Sequence, residues 1–161
     1  MVMRSILQNH FDEFLEILKY DKTEWYEFWK DYRKRYGPIV PDYEKLHNLD
    51  EKVIKSILDS LTRPQLDKLK QYWDGTKAGE KRKVSKALRS HSEELELSKA
   101  DFVVFLFGGL GISTFSIVNG LREKVILIDL VKVWKDGKIE NLEEIVLNSV
   151  FKFRKGEKYG S

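Results

Sequence analysis

The chain has 161 residues, 42% hydrophobic and 12% aromatic, which is enough apolar material for a buried core and excludes a disordered polypeptide. It has no cysteine, which removes disulfides, thiolate zinc sites and cysteine nucleophiles from consideration. Its 29 Lys and Arg are interspersed with 26 Asp and Glu, and a net charge of +3 gives little support for a nucleic-acid partner.

Charged residues make up 34% of the chain and are dominated by Lys and Glu, the composition of a thermophile's cytosolic protein built on surface ion pairs. The opening MVMRSILQNHFDEF has no continuous apolar segment and is not a signal peptide. The apolar run from Phe102 to Val118 is broken by glycines and polar residues, so it does not read as a membrane span. The expectation is a soluble, cytoplasmic protein of one domain, residues 1–161, with a mostly helical layer over 1–97 and a strand block plus helix over 98–161.

Residues 2–19 carry Ile6, Phe11, Phe14, Leu15 and Leu18 near helical spacing. Asp21 and Glu24 suggest a capping box for a second helix, from Lys22 to about Tyr36, with Trp25, Phe28, Trp29 and Tyr32 on one face. Gly37-Pro38 ends it, and Pro41 predicts an extended linker. Asp50 caps a third helix with Val53, Ile54, Ile57, Leu58 and Leu61 on its apolar side. Thr62, Pro64 and Gln65 start a fourth, which buries Leu66, Leu69, Tyr72 and Trp73 and stops at Asp74-Gly75.

From Thr76 to Arg89 runs a basic cluster that includes Lys77, Lys81, Arg82 and Lys83, with Val84, Ala87 and Leu88 turned inward. It reads as a solvated helix face or as a contact for nucleic acid or polyphosphate. No aromatic residue sits within it to stack on bases.

The strand block follows. Phe102–Phe107 and Phe115–Val118 read as short buried strands, and Val125–Trp134 as a longer one. Asn119-Gly120 and Asp136-Gly137 are the turn signals, the second the stronger. Together these elements predict an α+β fold: about five helices, then a small, mainly antiparallel sheet covered on one face by the aromatic helix, then a C-terminal helix. Asn141 and Glu144 suggest a capping box for that last helix, with Leu142, Ile145, Val146, Val150 and Phe153 as its apolar face.

Residues that could carry chemistry are few. Gly108, Gly109 and Gly111 follow a strand as a dinucleotide-binding turn requires, but Thr114 stands at the third glycine position and no helix follows. A sharp strand-to-strand connection with glycines at positive φ is the favoured reading of them. His10, His47 and His91 lie on separate segments without the spacing of metal ligands. Ser113 and Ser116 have no histidine near them in sequence, and Glu143-Glu144 complement a helix N-terminus.

In its order of elements the chain resembles uncharacterised putative metallopeptidase domains of the zincin type. In that family strands precede a helix bearing His-Glu-x-x-His, whose histidines bind zinc and whose glutamate is the general base. On that resemblance LEEIVLNSVFKF occupies the zinc helix. Asn148 stands in place of the first ligand, Ser149 of the base and Lys152 of the second ligand. An amide is a poor zinc ligand, a hydroxyl is no carboxylate base, and an ammonium repels the metal. The resemblance therefore implies a non-catalytic relative without metal or cofactor, binding a protein or peptide by strand addition. The alternative is a nucleotide- or nucleic-acid-binding protein that uses Gly108–Gly111 and the segment Lys77–Arg89.

Overall fold

A computed structural model describes residues 6–161; the part of the first expected helix that falls on residues 2–5 lies outside them. The fold is α+β, with a five-stranded sheet and a final helix.

Where helical spacing suggests a helix from the N-terminus, the chain forms a short strand, β1 (Leu7–Asn9), followed by helix α1 (Phe11–Leu15) and a 3-10 turn over Glu16–Lys19. Asn9 makes the break: its Oδ1 accepts from the Phe11 N–H at 3.0 Å, and the next N–H, of His10, goes to Leu106 O at 2.8 Å. The side chain satisfies the first turn while the backbone joins a strand far along the chain, at Leu106. Local periodicity carries no information about that partner.

Helix α2 (Trp25–Arg35) buries Trp25, Phe28, Trp29 and Tyr32, the stripe expected from its spacing. Its entry is a 3-10 turn over Lys22–Glu24, and Asp21 makes no side-chain cap bond there. Residues expected to form an extended linker are instead α3 (Ile39–Leu46). Pro41 sits in its first turn, where a missing N–H is tolerated. Helix α4 (Glu51–Ser60) starts as expected, with the Asp50 carboxylate accepting from the Val53 N–H at 2.8 Å.

Helix α5 (Arg63–Ser90) has the expected Thr62–Gln65 capping box but runs through Asp74-Gly75 without stopping. Its buried residues Leu66, Leu69, Trp73, Glu80, Val84 and Leu88 keep one continuous face, and that face decides the matter. Gly75 and Gly79 are tolerated inside it at some cost in stability.

Four further strands complete the sheet: β2 (Phe102–Phe107), β3 (Phe115–Asn119), β4 (Lys124–Asp129) and β5 (Tyr159–Gly160). The order is β1-β2-β4-β3-β5. Strands β1, β2 and β4 are parallel, whereas β3 runs against β4 and β5 against β3. The sheet is thus mixed rather than mainly antiparallel. After β2 the chain reverses into β3, but it leaves one strand's width between them. The hairpin at Gly120–Glu123 then folds β4 back into that gap, which makes β4 parallel to β2.

The apolar run after Val125 is divided between β4 and helix α6 (Leu130–Lys135), because Asp129 caps the helix through the N–H groups of Val131 and Lys132. Asp136-Gly137 accordingly ends a helix rather than turning a hairpin. Gly137, at φ 69, donates to Trp134 O and Lys138 donates to Val133 O, the pattern of a Schellman C-cap. A 3-10 turn over Ile139–Asn141 leads into α7 (Leu142–Arg154), and Asn141 makes no side-chain cap bond.

All six residues of β2 are buried, as a strand covered on both faces requires. Phe107 meets Tyr32, Tyr36 and Tyr43 on one face, while Phe102 meets Phe153 of α7 on the other. Helix α5 lies against α7. No helix among the described residues is long and apolar enough to cross a membrane.

Candidate functional site

The glycine turn lies at the carboxyl ends of the parallel strands β2 and β4, with Phe107 level with Asp129. Open α/β sheets bind ligands at this place. Here the turn closes on the protein's own carboxylate. Gly109 N–H donates to Asp129 Oδ1 at 3.2 Å and Gly111 N–H to Asp129 Oδ2 at 2.8 Å. Between them, Leu110 N–H donates to Tyr43 Oη at 3.1 Å. Tyr32 Oη in turn donates to Gly108 O at 3.1 Å. The successive N–H groups that would cradle a phosphate are therefore already bonded.

The glycines are there for close approach more than for backbone freedom. A Cβ on Gly108 would fall 2.1 Å from the Phe14 side chain, and one on Gly109 would fall 2.5 Å from the Asp129 carboxylate. Of the three, only Gly111 has positive φ, at 73°. The expectation of positive φ throughout the turn is corrected to that one position.

Asp129 is 2% exposed and accepts from the backbone N–H groups of Gly109, Gly111, Val131 and Lys132. Burial pushes its carboxyl up to about 6 against the opposing pull of those donors. Burial likewise holds the Tyr32 and Tyr43 hydroxyls well above their ordinary range. Sequence reasoning passed over Asp129 and Tyr43 because one lay inside an expected strand and the other in an expected linker. An Asp at the end of an apolar run, followed by helix-forming residues, was the available signal.

The histidines stay apart, each with its own partner. His10 Nε2 lies 3.1 Å from Gln8 Oε1, with its ring against Phe105 and Tyr36. His91 Nδ1 lies 2.9 Å from Ala87 O at the end of α5. His47 Nε2 is 2.8 Å from Ser116 Oγ, so the fold brings to Ser116 a histidine that the linear sequence did not. Burial lowers both His10 and His47 below the usual imidazole value. Ser116 is 1% exposed, out of reach of an acyl substrate. Among the described residues no group of three or more His, Asp or Glu side chains is placed to hold a metal ion.

The three motif positions on α7 point different ways. Asn148 is exposed, whereas Ser149 is buried with its hydroxyl donating to Ile145 O at 2.7 Å. Lys152 is half-buried over the Phe115 ring and donates to Ser161 O.

Lys81, Arg82 and Lys83 are exposed on the second half of α5, as are Lys86 and Arg89. Lys83 lies 3.8 Å from Glu80, a carboxylate that burial raises above its ordinary value. Lys81, Arg82, Lys86 and Arg89 form no ion pair among the described residues. Elsewhere the familiar i,i+3 and i,i+4 pairs do form, as in Lys30–Glu27, Lys55–Glu51 and Lys132–Asp136. An open groove of about 400 Å³ runs beside this face, lined by Lys83, Lys86, Ala87, Ser90, His91 and Glu143.

No family model matches the chain, and neither a curated protein nor a solved structure matches it.

Proposed function

We propose that the protein is a non-catalytic binding domain whose ligand is the phosphate backbone of a nucleic-acid duplex, engaged by the second half of α5. The observation that carries this reading is a set of cations on the exposed face of α5 that form no ion pair among the described residues. Arg82, Lys86 and Arg89 recur at i, i+4 and i+7, which places them on one face over about 10 Å of helix axis. Lys81 flanks them. The near-neutral balance of the whole chain hides this local excess, because most acids lie on other elements.

The residue types favour backbone contact over base reading. Arg and Lys neutralise phosphates, and the absence of aromatic side chains from this face removes the stacking on which single-strand binders rely. The glycine turn has no part in the proposal, since its N–H groups serve Asp129 and Tyr43. The likeness to zincin-type peptidases enters as one of scaffold, with an amide, a hydroxyl and an ammonium at Asn148, Ser149 and Lys152. A cytoplasmic setting belongs to the same proposal, supported by the cysteine-free composition.

Binding of a labelled duplex of about 20 base pairs, followed by anisotropy between about 50 and 200 mM salt, tests it. Four phosphate contacts predict a slope of log K against log salt of about −3.6, at about −0.9 for each. Replacing Arg82 or Lys86 with Ala should each reduce that slope by about 1, whatever the base sequence. Affinity that does not change with salt, or that survives removal of Arg82, Lys86 and Arg89 together, would sink the reading.

A further inference from the structure

The outer edge of β3 is covered over only part of its length. Its inner edge is paired with β4 from Phe115 to Asn119, but outside it lies only the two-residue strand β5. Phe115 is level with Gly160 and Ser116 with Tyr159, and Ile117 N–H donates to Lys158 O at 2.7 Å. Beyond that point the Asp42 carboxylate accepts from the Asn119 N–H at 2.8 Å. The edge thus pairs with an extended chain over about three residues, a stretch that β5 and Lys158 fill, and is closed to a longer one.

What lies beside this edge selects for side chains. The His47 ring, held by Ser116, meets the Tyr159 ring edge-on with centroids 5.4 Å apart. A Cβ on Gly160 would come within 3.3 Å of the Phe115 ring, a tight contact that favours a small residue after the aromatic. Lys152, over the Phe115 ring, donates to the Ser161 oxygen. These contacts read an aromatic residue, a glycine and a carbonyl oxygen in that order.

The segment that satisfies them is lightly held. Residues Lys155 to Lys158 are exposed, and Tyr159 keeps 54% of its surface in water while docked. We propose that the β3 edge, with His47 and Lys152, is a strand-addition site for an extended peptide in which an aromatic residue precedes glycine, and that β5 occupies it in cis. Main-chain pairing supplies the affinity of such a site and the flanking side chains its specificity. The surface is distinct from the basic face of α5, so either assignment stands or falls without the other.

The test uses the full chain and a labelled peptide that copies residues 156–161. In Gly160→Val the branched side chain meets Phe115 and dislodges the chain's own tail, leaving the acceptor intact. A tethered competitor acts at millimolar effective concentration, so the variant should bind the peptide at least about ten-fold more tightly than the parent. Replacing the peptide's tyrosine with alanine should weaken binding about ten-fold, and His47→Ala should do the same. Hydrogen exchange at the Ile117 amide reports occupancy: slow in the parent, fast in Gly160→Val, and slow again with peptide. A freely exchanging Ile117 amide in the parent would overturn the proposal. So would an Ile117 amide as protected in the variant as in the parent, since Gly160 would then have no part in docking.

Discussion

Asp129 is the residue on which the carboxyl ends of the central strands depend. It joins the turn after β2 to the first turn of α6 through the N–H groups of Gly109, Gly111, Val131 and Lys132. Asp129→Ala would leave these donors buried without an acceptor. At about 1 kcal/mol for each the loss is roughly 3–4 kcal/mol, measurable as a lower urea midpoint. Its titration gives a second check. The carboxyl sits at about 6 in the fold, against about 3.9 in the unfolded chain. Between those values the folded state keeps a proton that the unfolded state releases. The group's contribution is therefore fully present below about pH 4 and is lost as the pH rises through 6. Burial depresses His10 and His47, so the unfolded chain takes up their protons first, and their contribution is lost as pH falls below about 6.5. Urea midpoints of the parent and Asp129→Asn, compared from pH 4 to 7, should differ by an amount that changes across pH 4–6. A constant difference would mean that Asp129 stays charged in the fold.

Among the elements, α5 is held by its buried face and its cap rather than by its middle. Gly75 and Gly79 have no positive φ, and a Cβ at either would meet nothing within 4 Å. Glycine in a helix interior costs about 0.5–1 kcal/mol relative to alanine. Gly75→Ala and Gly79→Ala should each raise stability by about that amount, read as a higher urea midpoint at unchanged slope. A fall in stability would mean that another surface packs closely against this side of the helix. The cap at the other end should behave conventionally: Thr62→Ala removes a bond to the Gln65 N–H and should lower stability by about 1 kcal/mol.

For the whole molecule, the sheet divides the core into two layers that meet at β2 and β4. Native-state hydrogen exchange should be slowest for Val103–Phe107 and Val125–Asp129, which are buried on both faces. It should be fastest in the exposed stretch before β5. The two proposed surfaces lie at opposite levels of order: one on a capped, 28-residue helix, the other on a strand edge held by a two-residue tail. Equal exchange along β2 and β5 would argue that the tail is as firmly built as the core.

The sequence determined what depends on near neighbours. The aromatic stripe of α2, the caps at Asp50 and Thr62, the buried character of β2 and the hairpin at Asn119-Gly120 all follow from spacing and turn chemistry within a few residues. Tertiary structure decided the rest, since those choices depend on partners far along the chain. Leu7–Asn9 became a strand because β2 offered it an edge, and α5 continued past Gly75 because its far half could bury Val84 and Leu88. The sheet became mixed because β4 entered the gap between β2 and β3. The same rule holds for the sites. The cations of α5 were visible in the sequence, but that Arg82, Lys86 and Arg89 share one face with no ion pair among the described residues was not. The edge of β3, with His47 brought across 69 residues to Ser116, exists only in the folded chain.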